Sequence, residues 1–173
     1  MARNEEREAA ASNVGSRRAS RAWRYGPLLA WMVFIFFAST AQLSASNTSR
    51  IIRPLLIWLF PGISEEKLAF AHLIVRKLAH LTEYAILGLL SARAFAGSSR
   101  HSLRRRWFLF SLLLVIVYAL ADEFHQSFIP ERTGSVYDSF IDIAGGLIAL
   151  LLLLLRRFHR RNICAIVSGR ARP

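Results

Sequence analysis

The hydrophobic and polar positions divide the chain into four long apolar segments joined by polar connections. These segments cover residues 26–43, 78–95, 107–121 and 136–155. A helix needs about 20 predominantly apolar residues to cross the hydrocarbon core of a bilayer. Each segment is close to this length, and the third continues with helical periodicity to about Gln126. The pattern therefore predicts an all-α integral membrane bundle of four transmembrane helices.

A shorter apolar stretch, "IIRPLLIWLFPG", lies between the first two segments and is interrupted by two prolines. It is too short to span a bilayer, so it predicts a short interfacial helix with Trp58 and Phe60 facing lipid. A loop packed on the bundle fits these residues equally well. Directly after it, Ser64 precedes Glu65 and Glu66, the pattern of a helix N-cap with acids in the first turn. We expect that helix to continue into the second span.

Charge placement predicts the orientation in the membrane. The chain of 173 residues is 54% hydrophobic, has a mean hydropathy of +0.33 and carries a formal net charge of +12. Most Lys and Arg residues lie before the first span, between the second and third, and after the fourth. The positive-inside rule then places both termini and the middle connection in the cytoplasm, and residues 44–77 and 122–137 outside. The connection 44–77 fits least well, because it also holds five basic residues.

This topology predicts a multi-pass membrane protein in three parts, with both termini in the cytoplasm. Residues 1–25 form a basic cytoplasmic tail that we expect to be disordered, 26–155 the membrane domain, and 156–173 a second basic tail. Residues 26–43 also resemble a cleaved signal peptide, but a flank of about 25 residues with three acids favours a retained anchor.

The sequence contains no basic motif with interleaved aromatic residues, so it does not indicate nucleic-acid binding. A single cysteine, Cys164, excludes an internal disulfide or a multi-cysteine metal site.

Ionisable residues on three of the spans lie at a similar predicted depth. With a rise of about 1.5 Å per residue, Asp122, Asp142 and Glu83 lie roughly 21–22 Å from the inner boundary, and His80 roughly 25 Å. Charges this deep are costly unless they face the bundle interior or a water-filled cavity. The common depth predicts one shared polar site in the outer part of the bilayer.

Helical spacing extends this predicted site to neighbouring polar residues. Its ligand-binding candidates are Lys77, His80, Glu83, Tyr84, Asp122, Glu123, His125, Gln126, Arg132, Asp138 and Asp142. On the fourth span, Gly145, Gly146 and Ala149 continue the side of the two aspartates, and small residues there allow close helix approach. The alternative is structural: polar groups inside a small bundle can simply hold helices together.

Two motifs in this region resemble the VanZ-like family of bacterial membrane proteins. They are "RKLAHLTEYAILG" and "DEFHQSFIPERTGSVYDSFIDIAGG", and the resemblance runs from about residue 26 to 155. The family's signature positions fall on the ligand-binding candidates above, and also on Pro130 and Gly145. Glu131 stands where the family often has glycine, and Leu81 where phenylalanine is common. The resemblance implies a location in the bacterial cytoplasmic (inner) membrane and a link to low-level resistance to the glycopeptide teicoplanin, but no established reaction.

Three functions fit these residues. The first is a non-enzymatic envelope protein that binds an anionic lipid, a lipid-linked wall precursor or a glycopeptide, with Lys77 and Arg132 contacting phosphate or carboxylate. The second is an intramembrane hydrolase or transferase using a metal or an acid–base pair, with His80, Glu83, Asp122 and His125 as catalytic candidates. The third, an ion-coupled transporter, is disfavoured because four spans show no inverted repeat. The sequence leaves metal binding and oligomeric state open.

Overall fold

The computed structural model describes residues 21–39, 53–128 and 136–167, and within these ranges the chain is helical and contains no strand. The predicted all-α fold is confirmed. The helices are α1 (residues 21–38), α2 (53–59), α3 (Glu65–Ala96), α4 (His101–Arg105), α5 (Trp107–Gln126) and α6 (Val136–Val167).

The ends of α3 follow from local sequence. Its predicted N-cap is confirmed, because the Ser64 side chain accepts a hydrogen bond from the backbone N–H of Lys67 at 3.4 Å. Gly62, with φ +94°, forms the turn that separates α2 from α3. At the other end, the backbone N–H of Gly97 donates to the carbonyl of Arg93 at 3.2 Å. Helix α3 is consequently 32 residues long and extends well before the predicted second span.

The ends of the other helices agree with the predicted segments only in part. Helix α5 ends at Gln126 and α6 begins at Val136, as predicted. Helix α6 runs past residue 155 to Val167, because the arginines that follow are good helix formers and neither glycine nor proline occurs before Gly169. Helix α1 already includes residues 21–25, which were predicted as part of the tail, and it ends at residue 38. Residues 40–43 of the predicted first span lie outside the described residues.

Helix α1 runs antiparallel to α3 and is tied to it by two aromatic donors. The Tyr25 hydroxyl near the first described turn donates to Ser98 Oγ, just beyond the end of α3, at 3.0 Å. Trp31 Nε1 donates to the backbone carbonyl of Glu83 at 2.9 Å. A later residue of α1 therefore contacts an earlier residue of α3, so the two helices run in opposite directions.

Helices α5 and α6 are also antiparallel. The Arg157 guanidinium lies 4.2 Å from the ring centre of Trp107, so the first turn of α5 meets the later part of α6. The first part of α6 meets α3 instead, where Lys77 pairs with Asp138. Helices α3 and α6 therefore run parallel to each other, and α1 and α5 run the opposite way.

Glycines allow close backbone contact between α3 and α6. A Cβ at Gly145 would overlap the backbone carbonyl of Leu81, and a Cβ at Gly88 would lie 3.0 Å from the carbonyl oxygen of Gly146. On its other side, a Cβ at Gly146 would lie 2.5 Å from a methyl of Val115 on α5. Each larger side chain here would push helices apart. The sequence prediction that small residues on α6 face another helix therefore agrees with this packing.

The outer surface of the bundle is more apolar than that of a typical water-soluble bundle. Large apolar residues are exposed along α5, where Leu109, Leu113 and Val117 are each more than half exposed at four-residue spacing. Serines and aspartates are buried instead, including Ser91, Ser111 and Ser139. Such an apolar outer surface marks contact with lipid or other protein. Among the described helices, Trp107–Gln126 and Tyr137–Arg160 are long and apolar enough to cross a membrane.

Candidate functional site: a buried histidine and two aspartates

One histidine and two aspartates, each from a different helix, meet inside the bundle. They are His80 of α3, Asp122 of α5 and Asp142 of α6. A ring nitrogen of His80 and one carboxylate oxygen of each aspartate all lie within 4.8 Å of one another. His80 Nδ1 is 3.4 Å from Asp142 Oδ1. Only 6% of Asp122 and 1% of Asp142 are exposed. We call these three residues the His-Asp-Asp cluster.

The glycine contact between α3 and α6 brings two members of the cluster together. Leu81, whose backbone packs against Gly145, directly follows His80. Asp142 lies three residues before Gly145, which is nearly one helical turn and therefore on the same side of α6. Helices that approach this closely at Gly145 hold the imidazole of His80 next to the carboxylate of Asp142.

Two further polar side chains surround the cluster. Gln126, one turn after Asp122 on α5, donates its amide Nε2 to Asp122 Oδ2 at 2.9 Å. This bond orients the Asp122 carboxylate. The hydroxyl of Tyr84, a fully buried residue one turn after His80, lies beside the carboxylates of Asp122 and Asp142. The cluster therefore has a partly polar wall.

Several buried atoms at the cluster have no hydrogen-bond partner in the described part of the chain. They are His80 Nδ1, Asp142 Oδ1 and the Tyr84 hydroxyl. The 3.4 Å approach of His80 to Asp142 is within ion-pair distance, but it does not have the geometry of a hydrogen bond. Buried polar atoms normally have a partner, so these atoms retain capacity for a bound group.

An ion pair lies one turn away, nearer the N-termini of α3 and α6. Lys77 Nζ contacts Asp138 Oδ1. The exposed fractions of the two side chains are 31% and 16%, so the pair is accessible at its edge. Both residues were predicted as members of the polar site, and the structure places them beside the cluster rather than inside it.

Other predicted residues have different surroundings. The ring of His125 stacks on Phe36 of α1 with centroids 4.7 Å apart, so this histidine faces α1. Glu83 lies on α3, where its backbone carbonyl accepts the bond from Trp31, and it is not one of the three clustered residues. Glu123 is half-buried. Arg132, Pro130 and Glu131 lie outside the described residues, as do residues 1–20 of the predicted N-terminal tail.

A comparison with protein families shows to which family the chain belongs. A family model described as VanZ/LLP1 matches residues 25–157, about three quarters of the chain. The protein belongs to the VanZ/LLP1 family. The resemblance seen in the two sequence motifs is thereby confirmed. Neither a curated protein nor a solved structure matches the chain significantly.

The VanZ/LLP1 region contains the His-Asp-Asp cluster, the Lys77–Asp138 pair and the helix α1 contacts. Sequence reasoning missed the part that α1 plays beside the cluster. Tyr118 of α5 donates its hydroxyl to the backbone carbonyl of Met32, in addition to the bond from Trp31 to Glu83. Both acceptors are backbone carbonyls, which have no sequence signature. The only sign in the sequence was the presence of two aromatic hydrogen-bond donors, Trp31 and Tyr118, within apolar segments. Such donors usually have a hydrogen-bond acceptor when they are buried.

Proposed function

We propose that this VanZ/LLP1 protein is a multipass protein of the bacterial cytoplasmic membrane in which α1, α3, α5 and α6 each span the bilayer. Three observations support the proposal: family membership, the alternating directions of the four helices, and the apolar outer surface. The short helix α2 lies in the interface, consistent with the exposure of Trp58 and Phe60. Basic residues in α4 and the later part of α6 then face the cytoplasm.

In this orientation, the His-Asp-Asp cluster and the Lys77–Asp138 pair lie toward the outer surface. We infer that this polar region binds an anionic group carried by a membrane lipid, a lipid-linked wall precursor or a glycopeptide. The observation that carries the inference is a half-buried lysine beside a buried cluster with unsatisfied polar atoms. A ligand phosphate or carboxylate can take the place of Asp138 as the partner of Lys77. A role in glycopeptide resistance is the corresponding cellular function.

A topology experiment tests the orientation. With Cys164 replaced by serine, a cysteine at exposed Ser127, just after α5, should react with an impermeant maleimide on intact cells. A cysteine at exposed Ser102 in α4 should react only after permeabilisation, because the basic residues around it favour the cytoplasm. Labelling of Ser102 alone in intact cells would invert the topology, and labelling at both positions would show mixed insertion.

A binding experiment tests the ligand. The full-length protein in nanodiscs should retain a polyprenyl phosphate or bind teicoplanin, and Lys77→Gln should weaken that binding roughly tenfold by removing a charge-assisted contact. Native mass spectrometry measures the bound polyprenyl phosphate, and calorimetry measures teicoplanin. Arg105→Gln in exposed α4 is the matched control, because it removes a positive charge away from the polar region. Equal losses from both variants would indicate general charge attraction and contradict a site at Lys77.

The second candidate function is an intramembrane hydrolase or transferase acting on a lipid-linked substrate. The convergence of His80 with Asp122 and Asp142 favours it, because one imidazole and two carboxylates can hold a metal or transfer protons. Time-dependent cleavage of a polyprenyl diphosphate by the wild type, but not by Asp122→Asn, would support catalysis over simple binding. An inactive wild type that still binds the lipid would support the first function.

A further inference from the structure

We propose that His80, Asp122 and Asp142 together bind one divalent transition-metal ion. The inference rests on the proposed function in so far as the ion would lie in the same polar region, next to Lys77. Its test measures the ion itself and requires no lipid ligand, so it can fail or succeed independently of that function.

The separations within the cluster fit a single ion. Nitrogen and oxygen ligands bind ions such as Zn²⁺ at about 2.0–2.2 Å, which places neighbouring ligand atoms about 3–4 Å apart. The three ligand atoms in the cluster lie within 4.8 Å of one another, and His80 Nδ1 is already 3.4 Å from Asp142 Oδ1. Small side-chain rotations are therefore sufficient to close the site around an ion.

The unsatisfied atoms provide a second reason. Asp142 is 1% exposed, yet its Oδ1 atom has no hydrogen-bond partner, and the same holds for the facing His80 Nδ1. The hydroxyl of fully buried Tyr84 also lies beside the two carboxylates. A metal ion would be bound directly by the nitrogen and the carboxylate oxygen. Water or an anionic ligand on the ion would accept a hydrogen bond from Tyr84.

The charges point to a cation of charge +2. When both are ionised, the two buried carboxylates carry a charge of −2. Within the described residues Asp142 has an ion-pair neighbour in His80, which supplies at most one positive charge, and neither aspartate pairs with lysine or arginine. Gln126 gives Asp122 a neutral partner only. Carboxylates in an apolar setting are costly unless they are paired or bind a metal. One divalent ion with neutral His80 would make the cluster electrically neutral.

The ligand types narrow the choice of ion. A site with one imidazole and two carboxylates suits Mn²⁺, Fe²⁺ or Zn²⁺, whereas Mg²⁺ and Ca²⁺ prefer oxygen ligands alone. Three protein ligands leave coordination positions open, as in catalytic rather than structural sites. Gln126 would act from the second shell of ligands by fixing the Asp122 carboxylate. The open positions would accept water or a phosphate oxygen of a lipid headgroup.

Metal analysis of the full-length protein in detergent tests the proposal. After chelation and dialysis against micromolar Mn²⁺ or Zn²⁺, the wild type should retain about one ion per chain, the occupancy of a single site. The substitutions Asp122→Asn and Asp142→Asn should each lower the bound metal at least tenfold. Glu65→Gln is the matched control, because Glu65 is an exposed carboxylate at the start of α3 that pairs with Arg53 and not with the cluster. Its metal content should equal that of the wild type. Unchanged metal in both cluster variants would overturn the proposal.

A spectroscopic measurement avoids dependence on variants that fail to fold. Mn²⁺ bound to the wild type should show nitrogen coupling in pulsed electron paramagnetic resonance, and labelling the five histidines with ¹⁵N should change that coupling. In a folded sample, His80→Gln should remove it, whereas His125→Gln should not. A wild type that binds no ion, or an ion without histidine coupling, would refute the site. So would metal binding that appears only in Arg132→Gln, because the guanidinium would then be the natural cation.

Discussion

Replacing Gly145 with alanine should destabilise the protein by about 3 kcal/mol, the upper end of overpacking effects. The added Cβ would overlap the backbone carbonyl of Leu81, which cannot rotate away as a side chain can. Helices α3 and α6 must therefore separate, and their separation moves His80 away from Asp142. Unfolding in a detergent titration would measure the loss of stability. Metal retention would measure the opening of the His-Asp-Asp cluster and should fall with it.

Two other glycines provide graded controls. Gly146→Ala should cost less, about 1–2 kcal/mol, because its nearest obstacle is a methyl of the Val115 side chain, which can shift. Gly26→Ala should be neutral or slightly stabilising, since a Cβ there meets nothing within 4 Å and alanine is the better helix former. If all three variants had equal stability, the close approach of α3 and α6 at Gly145 would be wrong.

The helical framework was predictable because its determinants are local. Ser64 and the acids after it form a cap that depends on neighbouring residues only. The apolar run gave the start of α5 correctly, and the helical periodicity that continues beyond the run gave its end at Gln126. The end of α6 at Val167 was not predicted. The prediction ended the segment at residue 155, where arginines replace apolar residues, but these arginines continue the helix. Hydropathy therefore located the apolar segments more accurately than the full lengths of the helices that contain them.

The meeting of the cluster residues followed from two simple quantities, rise per residue and position around a helix. These were sufficient for His80, Asp122 and Asp142 because each lies on the inward side of its helix in the structure. They were insufficient for His125, which is three residues after Asp122 and faces Phe36 instead. The side chain of a residue between two helix–helix contacts can point toward either of the two neighbouring helices. For His125 the direction depends on how α1 packs against α5, and residue spacing within α5 does not specify that packing.

Reversing the charge of Lys77 should have a large effect as well. Lys77→Glu would place two carboxylates in contact in a half-buried seam, and we expect a loss of about 3 kcal/mol, similar to breaking a buried ion pair. The double variant Lys77→Glu, Asp138→Lys should recover most of that stability, because opposite charges again meet between α3 and α6. A double-mutant cycle based on detergent unfolding measures the coupling.

The exposed pair Arg53–Glu65 is the control for this cycle. Its atoms are also close, at 2.6 Å, but its side chains are 53% and 74% exposed, so its coupling should be only about 0.2–1 kcal/mol. A large coupling at Lys77 and a small one at Arg53 would show that α3 and α6 run parallel with these residues in register. Equal couplings, or no recovery in the double variant, would contradict that register. Without it Lys77 would not lie beside the His-Asp-Asp cluster, and the anionic ligand proposed for Lys77 would lose its binding site.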